Sequence, residues 1–144
     1  MKIKIISVGK IKNKRIFQLC STYKDRIKHF AKLEEVILKS GTNHSENEKI
    51  VNHLKHSKGL HFALSEDGNS FNSNDFANKL SSIIGQLSFV IGGTEGLNEK
   101  VKANCDEIIS LSSMTFTHEM AQLFLLEQVY RAVSYTHLTL PTKA

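Results

Sequence analysis

Phe89-Val90-Ile91-Gly92-Gly93-Thr94-Glu95-Gly96-Leu97 decides how the chain is read, because a short apolar run enters a pair of glycines with no polar residue between. A buried strand that meets Gly-Gly must turn sharply with nothing projecting from Cα. Two needs produce that pattern, a plain tight turn and the close approach of a ligand to the main chain. For an isolated Gly-Gly the plain turn is the commoner. Position favours the ligand, since in open α/β sheets ligands bind beyond the carboxyl ends of strands. The segment is not a dinucleotide fingerprint: Gly92, Gly93 and Gly96 do not space as Gly-x-Gly-x-x-Gly, and no Lys-Ser or Lys-Thr follows as in a phosphate loop.

Outward from this segment, short apolar runs alternate with longer stretches of helical spacing, the rhythm of an α/β domain with a largely parallel sheet. The strand candidates are Lys2 to Val8, Glu35 to Lys39, His61 to Ser65, Ser88 to Ile91 and Glu107 to Leu111. Ile16, Cys20, Tyr23, Ile27 and Phe30 recur every three or four residues and predict one stripe of a helix packed on the sheet. A second helix is expected after Asn47, carrying Ile50, Val51 and Leu54, with Ser40 to Glu48 as a loop. A third starts at Asn74 behind Ser73 as N-cap and ends at Gly85, and a short turn covers Asn98 to Asn104. From Glu119 to Val133 a wide apolar stripe, with Leu125 and Leu126 on neighbouring faces, predicts a last helix that packs on two surfaces, one of them a subunit contact.

The 144 residues suit one domain. No apolar run approaches the roughly 20 residues of a bilayer span. The opening Met1 to Gly9 alternates like a strand and lacks the features of a secretory signal, so a cytoplasmic protein is expected. Cys20 and Cys105 form no Cys-x-x-Cys pair and have no histidine pair nearby, so no metal is expected and both read as buried thiols. Nineteen Lys and Arg against fourteen Asp and Glu give +5, a balance that favours polyanionic partners. The excess is early, from Lys2, Lys4, Lys10, Lys12, Lys14 and Arg15 to Lys24, Arg26 and Lys28, against Asp25 alone. A solvated helix face and an RNA-facing patch explain it equally well.

A second segment, Ile108-Ile109-Ser110-Leu111-Ser112-Ser113-Met114-Thr115-Phe116-Thr117-His118, leaves a strand through small hydroxylated residues and reaches His118 as the last helix begins. Such a loop presents backbone N–H and C=O groups suited to an adenine. Taken alone, Ser-Ser is equally a helix-capping loop, and His118 equally a capping or surface histidine.

Residues 1 to 133 resemble, nearly end to end, the ribosomal RNA large-subunit methyltransferase H family of the SPOUT superfamily. The resemblance rests on Ile5-Ile6-Ser7-Val8-Gly9-Lys10, the Phe89 to Leu97 segment, the Leu111 to Phe116 loop with His118, and Glu127-Gln128-Val129-Tyr130-Arg131-Ala132. It implies a trefoil-knotted α/β fold, a mostly parallel sheet of five to six strands with helices on both faces. It also implies an S-adenosyl-L-methionine-dependent enzyme that methylates N3 of a pseudouridine in 23S RNA, working as a homodimer on large-subunit RNA or the 70S ribosome, with no membrane and no metal. Carried over by position, the cofactor contacts are Leu64, Gly92, Leu111, Ser112, Ser113, Met114, Thr115 and Phe116. The catalytic pair is His118, which positions or deprotonates the base, and Arg131, which holds a phosphate or orients the substrate.

The chain departs from the family pattern in places. Thr117 stands where proline is usual, Gln122 where a basic residue is common, and Glu66-Asp67-Gly68-Asn69 lacks a Gly-Lys pair. Each change is expected to trim charge or rigidity near the RNA face. Residues 134–144 do not match the family's Tyr-His ending; Pro141 sits among threonines, and the stretch resembles translated vector sequence, so a chain that folds but methylates poorly is expected. Rival readings are a SPOUT enzyme for another ribosomal or transfer RNA position, a non-catalytic RNA-binding protein that uses the basic N-terminal region, and, weakest, a nucleotide-binding module.

Overall fold

Among the described residues five strands alternate with five helices, and the pleat of each strand divides its side chains between two helical layers. The computed structural model describes residues 1–138, with side chains as far as Ser134. In chain order the elements are β1 (Lys2–Val8), α1 (Lys14–Ile27), β2 (Lys32–Leu38), α2 (Asn43–Lys55) and β3 (Leu60–Ser70). They continue with α3 (Ser73–Ser81), β4 (Gln86–Val90), α4 (Glu99–Ala103), β5 (Glu107–Ser110) and α5 (His118–Leu138). Every strand pair is parallel, and the sheet order is β2-β1-β4-β3-β5.

Because alternate residues of a strand face opposite ways, Ile3, Ile5, Leu87 and Phe89 enter one core with Phe62 and Ile109, closed by α1, α3 and α5. Ile6, Val8 and Val90 enter the other, closed by α2 and α4. The α/β class with helices on both faces is thus the one the sequence predicts. The steps β1 to β2 and β3 to β4 carry their helices on one face, and the opposite steps β2 to β3 and β4 to β5 carry theirs on the other. A single crossover handedness imposes that arrangement. At the centre Phe89 is fully buried, with the rings of Phe62 and Phe76 5.7 and 6.0 Å from its own. Burying a side chain of that size contributes roughly 2–3 kcal/mol.

Helix α5 is enclosed by its own chain. From His118 to Ser134 none of its residues is classed as exposed, and Leu125, Leu126, Val129, Ala132 and Val133 are buried. Its flanks are α1 and α3. The apolar excess beyond one stripe is therefore matched within the chain, and is not in itself the mark of a subunit contact. The helix also runs five residues past the expected end at Val133. Pro141 and its neighbouring threonines lie outside the described residues, as do the side chains of Tyr135 and His137.

Helix α2 also departs from expectation. It begins at Asn43, inside the expected loop, because Thr42 caps it by accepting from the Ser45 N–H, and Glu46 and Asn47 are buried rather than solvated. The basic N-terminal cluster is likewise dispersed by the fold. Lys2 pairs with Glu34, Lys24 pairs with Glu35, and Arg26 lies over the rings of Tyr23 and Tyr130.

Lys4 is buried on the α2 face, where its ammonium meets Ser57 Oγ at 3.2 Å and His53 Nε2 at 3.4 Å. In the same cross-strand row lie Ser88 and His61, whose Oγ and Nδ1 are buried without a hydrogen-bond partner. An ammonium only donates, so His53 Nε2 must accept and the ring must be neutral. Burial first, and the Lys4 charge second, hold the His53 pKa below its ordinary 6.5. A histidine depressed in the fold contributes stability above its unfolded pKa and loses it as pH falls through the folded one. The melting temperature is therefore expected to drop between about pH 7 and about pH 5, and His53→Gln to drop less; equal drops in the two proteins would refute the assignment.

Candidate functional site

The carboxyl ends of β4 and β5 and the middle of β3, neighbours in the sheet, open on a cavity of about 860 Å³. Leu64 reaches it from β3, Ile91 and Gly92 from just beyond β4, and Leu111 and Ser112 from just beyond β5. Met114, Thr115, Phe116 and His118 complete the wall where the loop enters α5. The glycine pair and the Ser-Ser turn, 20 residues apart in sequence, thus line one pocket. Of the residues expected from sequence, Ser113 is exposed and off the wall, and Arg131 is absent from it. Arg131 lies about 20 Å along α5 from His118 at 1.5 Å per residue, where it pairs with Glu127 at 3.6 Å.

The turn after β4 explains both glycines from within the chain. A Cβ on Gly92 would stand 2.7 Å from the carbonyl carbon of Gly96, because the 93–96 turn folds back through a Gly96 N–H to Gly93 carbonyl bond. A Cβ on Gly93 would stand 2.5 Å from the Glu46 carboxylate. The plain tight turn therefore accounts for the pair, and Gly92 faces the cavity as a consequence. The Glu46 carboxylate also accepts from the Gly41 N–H at 2.9 Å, and Asn47 Oδ1 accepts from the Asn98 N–H at 2.9 Å. These two α2 side chains fix the 92–98 segment. Sequence reading missed them because both fall in the stretch taken for a loop.

The opposite wall is fixed by α5. Thr117 accepts from the Met120 N–H and so serves as its N-cap, a role the Ser-Ser pair does not fill. Ser112 turns inward on the loop itself, accepting from the Met114 N–H at 3.0 Å. Glu119, the second residue of the helix, accepts from the backbone N–H groups of Lys12 and Asn13 at 2.8 and 3.4 Å. Gln122 is buried, so its place in the family pattern bears on packing and not on exposed charge in this chain.

Electrostatically the cavity and its surroundings differ in sign. Its ionisable lining is Glu66, Glu95, Glu119 and His118, with no Lys or Arg. Beside it, on the loop and helix start that Glu119 anchors, Lys10, Lys12, Lys14 and Arg15 are exposed. None of the four enters an ion pair among the described residues. Burial raises the thiol pKa of Cys20, and that of Cys105 to about 11, so both stay protonated. No group of three or more His, Cys, Asp or Glu able to hold a metal occurs among the described residues, and none of their helices is long and apolar enough to cross a membrane. A broad groove of about 1040 Å³ lies at the opposite end of the sheet, bordered by Met1, Lys2, Lys28 and Lys32. It is away from the strand ends where such sheets bind ligands.

Comparison with known proteins bears on the family and on the fold. A family model described as "Predicted SPOUT methyltransferase" matches residues 1–138. The ribosomal RNA large subunit methyltransferase H of Dictyoglomus thermophilum is 39% identical, over 92% of this chain and 94% of its own. That of Prochlorococcus marinus is 37% identical, over 92% of this chain and 90% of its own. Among solved structures, a probable methylase family protein from Haemophilus influenzae Rd KW20 superposes with a TM-score of 0.64 over 99% of this chain and 70% of that one. At 12% identity that likeness speaks for the fold alone.

If the turn is as tight as the backbone contact implies, Gly92→Ala lowers unfolding free energy by about 1–3 kcal/mol in denaturant titration. A change below about 0.5 kcal/mol, the size of a neutral surface substitution, would show that the turn has room.

Proposed function

We propose that this chain, which belongs to the SPOUT methyltransferase family and within it to the ribosomal RNA large subunit methyltransferases H, moves a methyl group from S-adenosyl-L-methionine to N3 of a pseudouridine in 23S RNA. Family membership makes it an RNA methyltransferase; the donor and the target atom are the further content of the proposal. The observation that carries the donor is the lining of the cavity. A phosphate-bearing cofactor would meet three carboxylates and no Lys or Arg there, whereas an adenosyl sulfonium has no phosphate and carries positive charge.

The walls suit the rest of that molecule. Leu64, Leu111, Met114 and Phe116 would bracket the adenine, and the N–H groups of Thr115 and Phe116 donate to no acceptor among the described residues. The donor supplies an electrophilic methyl group on sulfur. The chain's own part is to hold that carbon in line with the attacking nitrogen and to remove the N3 proton. His118, on the cavity wall and with its ring in no hydrogen bond among the described residues, is assigned as the group that receives the proton or steers the base. Lys10, Lys12, Lys14 and Arg15, unpaired at the border, are assigned to RNA phosphates.

Arg131 is too far along α5 to act beside the His118 of its own chain, so a substrate role for it at that methyl group requires a second copy. A homodimer is part of the proposal, supported by the exposed Phe17, Leu19 and Ile37, and a monomer by light scattering would remove it. The family's knotted threading is adopted on the same footing, as is a tail at residues 134–144 that does not serve the site.

The experiment is methyl transfer to ribosomes from a strain that lacks the modification. The chain is expected to label 23S RNA at N3 of a pseudouridine, slowly as it stands and faster with a family-type Tyr-His ending grafted on. His118→Gln is expected to lower kcat roughly a hundredfold with donor affinity by calorimetry unchanged. Label at another RNA position would replace the target atom, failure to bind the donor at millimolar excess would refute the whole, and a His118→Gln rate equal to the parent's would remove that residue's role.

A further inference from the structure

Beyond β5, the edge strand, a second cleft of about 430 Å³ opens between α3 and α5. It shares Leu111 and Phe116 with the larger cavity, so the two are separated by that part of the loop. Four aromatic rings line it, those of Phe71, Phe76, Phe116 and Phe124. Phe116 is 37% exposed, and its ring centroid is 4.9 Å from that of Phe124.

The border of the cleft is polar in a specific sense. Ser73 donates to Gln128 Oε1 at 2.7 Å, and Asn72 Oδ1 accepts from the Asp75 N–H at 2.8 Å. In each carboxamide the oxygen is engaged while the NH₂ has no partner among the described residues. The cleft therefore offers aromatic faces beside two unused amide donors, with the Glu127 carboxylate as a third polar group. An aliphatic side chain from a protein partner would cover those donors and leave them unpaired, which is costly. A planar ring with carbonyl or ring-nitrogen acceptors on its edge would stack and pair at once, as single-stranded RNA bases do on proteins.

We propose that this cleft takes an unstacked nucleobase of the RNA, one beside the methylated residue, with Phe124 stacking on it, the tilted Phe116 ring closing the side toward the larger cavity, and Gln128 and Asn72 reading its edge. The inference rests on the RNA-methylating function above and deepens it. It gives the enzyme a second point of base recognition next to the methyl site, so that target choice does not depend on phosphate contacts alone.

Binding tests it without requiring turnover. A fluorescent large-subunit RNA stem-loop that holds the target pseudouridine is prepared intact and with an abasic residue at each neighbouring position. Its affinity is measured by anisotropy for the parent, Phe124→Leu and Gln128→Glu. The second variant keeps an acceptor for the Ser73 hydroxyl and replaces the amide donor by a carboxylate, whose added charge cancels when intact and abasic RNA are compared on the same variant. On the parent, one abasic position is expected to weaken binding about tenfold. On either variant the same lesion is expected to cost under about threefold, since the partner of the missing base is already damaged. Donor affinity within twofold of the parent verifies that each variant is folded. Losses that simply multiply, or a parent indifferent to every abasic position, would overturn this inference and leave the methylating function intact. A parent that binds no stem-loop at all would overturn this inference, while the methylating function stands or falls by methyl transfer to ribosomes.

Discussion

One carboxylate joins the two ends of the molecule that make the pocket. Glu119 accepts from the backbone N–H groups of Lys12 and Asn13, and Asn13 in turn caps α1 by accepting from the N–H groups of Arg15 and Ile16. Bonds to an ionised acceptor are roughly twice as strong as neutral ones. This pair therefore sets where α5 begins relative to β1 and α1. Since Thr117 and His118 stand at that beginning, the bond also sets the far end of the 111–117 loop. The burial of α5 between α1 and α3 then leaves the helix no freedom to slide, because every turn of it from 118 to 134 is packed.

The period of the apolar residues made the layers legible. Ile3 and Ile5 alternate with Ile6 and Val8 after a one-residue step, so both faces of β1 had to be covered, and Cys20 and Ile27 lie on the α1 stripe that covers the Ile3 and Ile5 face. What was not legible had a weaker local signal. Asn43 to Glu48 is poor in strong helix formers, and its helix exists because Thr42 caps it, because Glu46 accepts from the Gly41 N–H and packs close against Gly93, and because Asn47 finds a partner far away in sequence, at Asn98. The two pocket loops were recognisable as candidates. Their meeting was not, since it depends on β4 and β5 standing either side of β3. The separation of His118 from Arg131 follows from helix rise once α5 is known to be continuous, and a motif match alone carries no such ruler.

Charge is sorted by the same packing. In sequence the early lysines look like one block. In the fold some neutralise neighbours, as Lys24 does at Glu35, one is buried as Lys4 against His53, and the four from Lys10 to Arg15 remain free beside a cavity with acidic lining. A polyanion approaching this end is drawn to the border and repelled from the interior. Under the proposed function, that sign pattern would keep an RNA strand at the border and a cationic methyl donor inside without any barrier between them.

The pocket is also a junction between the two helical layers. Its 92–98 wall is held by α2, which lies on the face with Ile6 and Val90, through Glu46 and Asn47. Its 111–117 wall is held by α5, on the face with Ile5 and Phe89, through Glu119 and Thr117. Neither layer alone positions both walls, and the sheet between them ends at Val90 and Ser110, just short of the gap. The absence of side chains at Gly92 and Gly93 belongs to this arrangement. One glycine lets the turn close on itself and the other lets a carboxylate from the α2 layer reach the main chain, so the wall is set by contacts behind it and its front is left to the ligand.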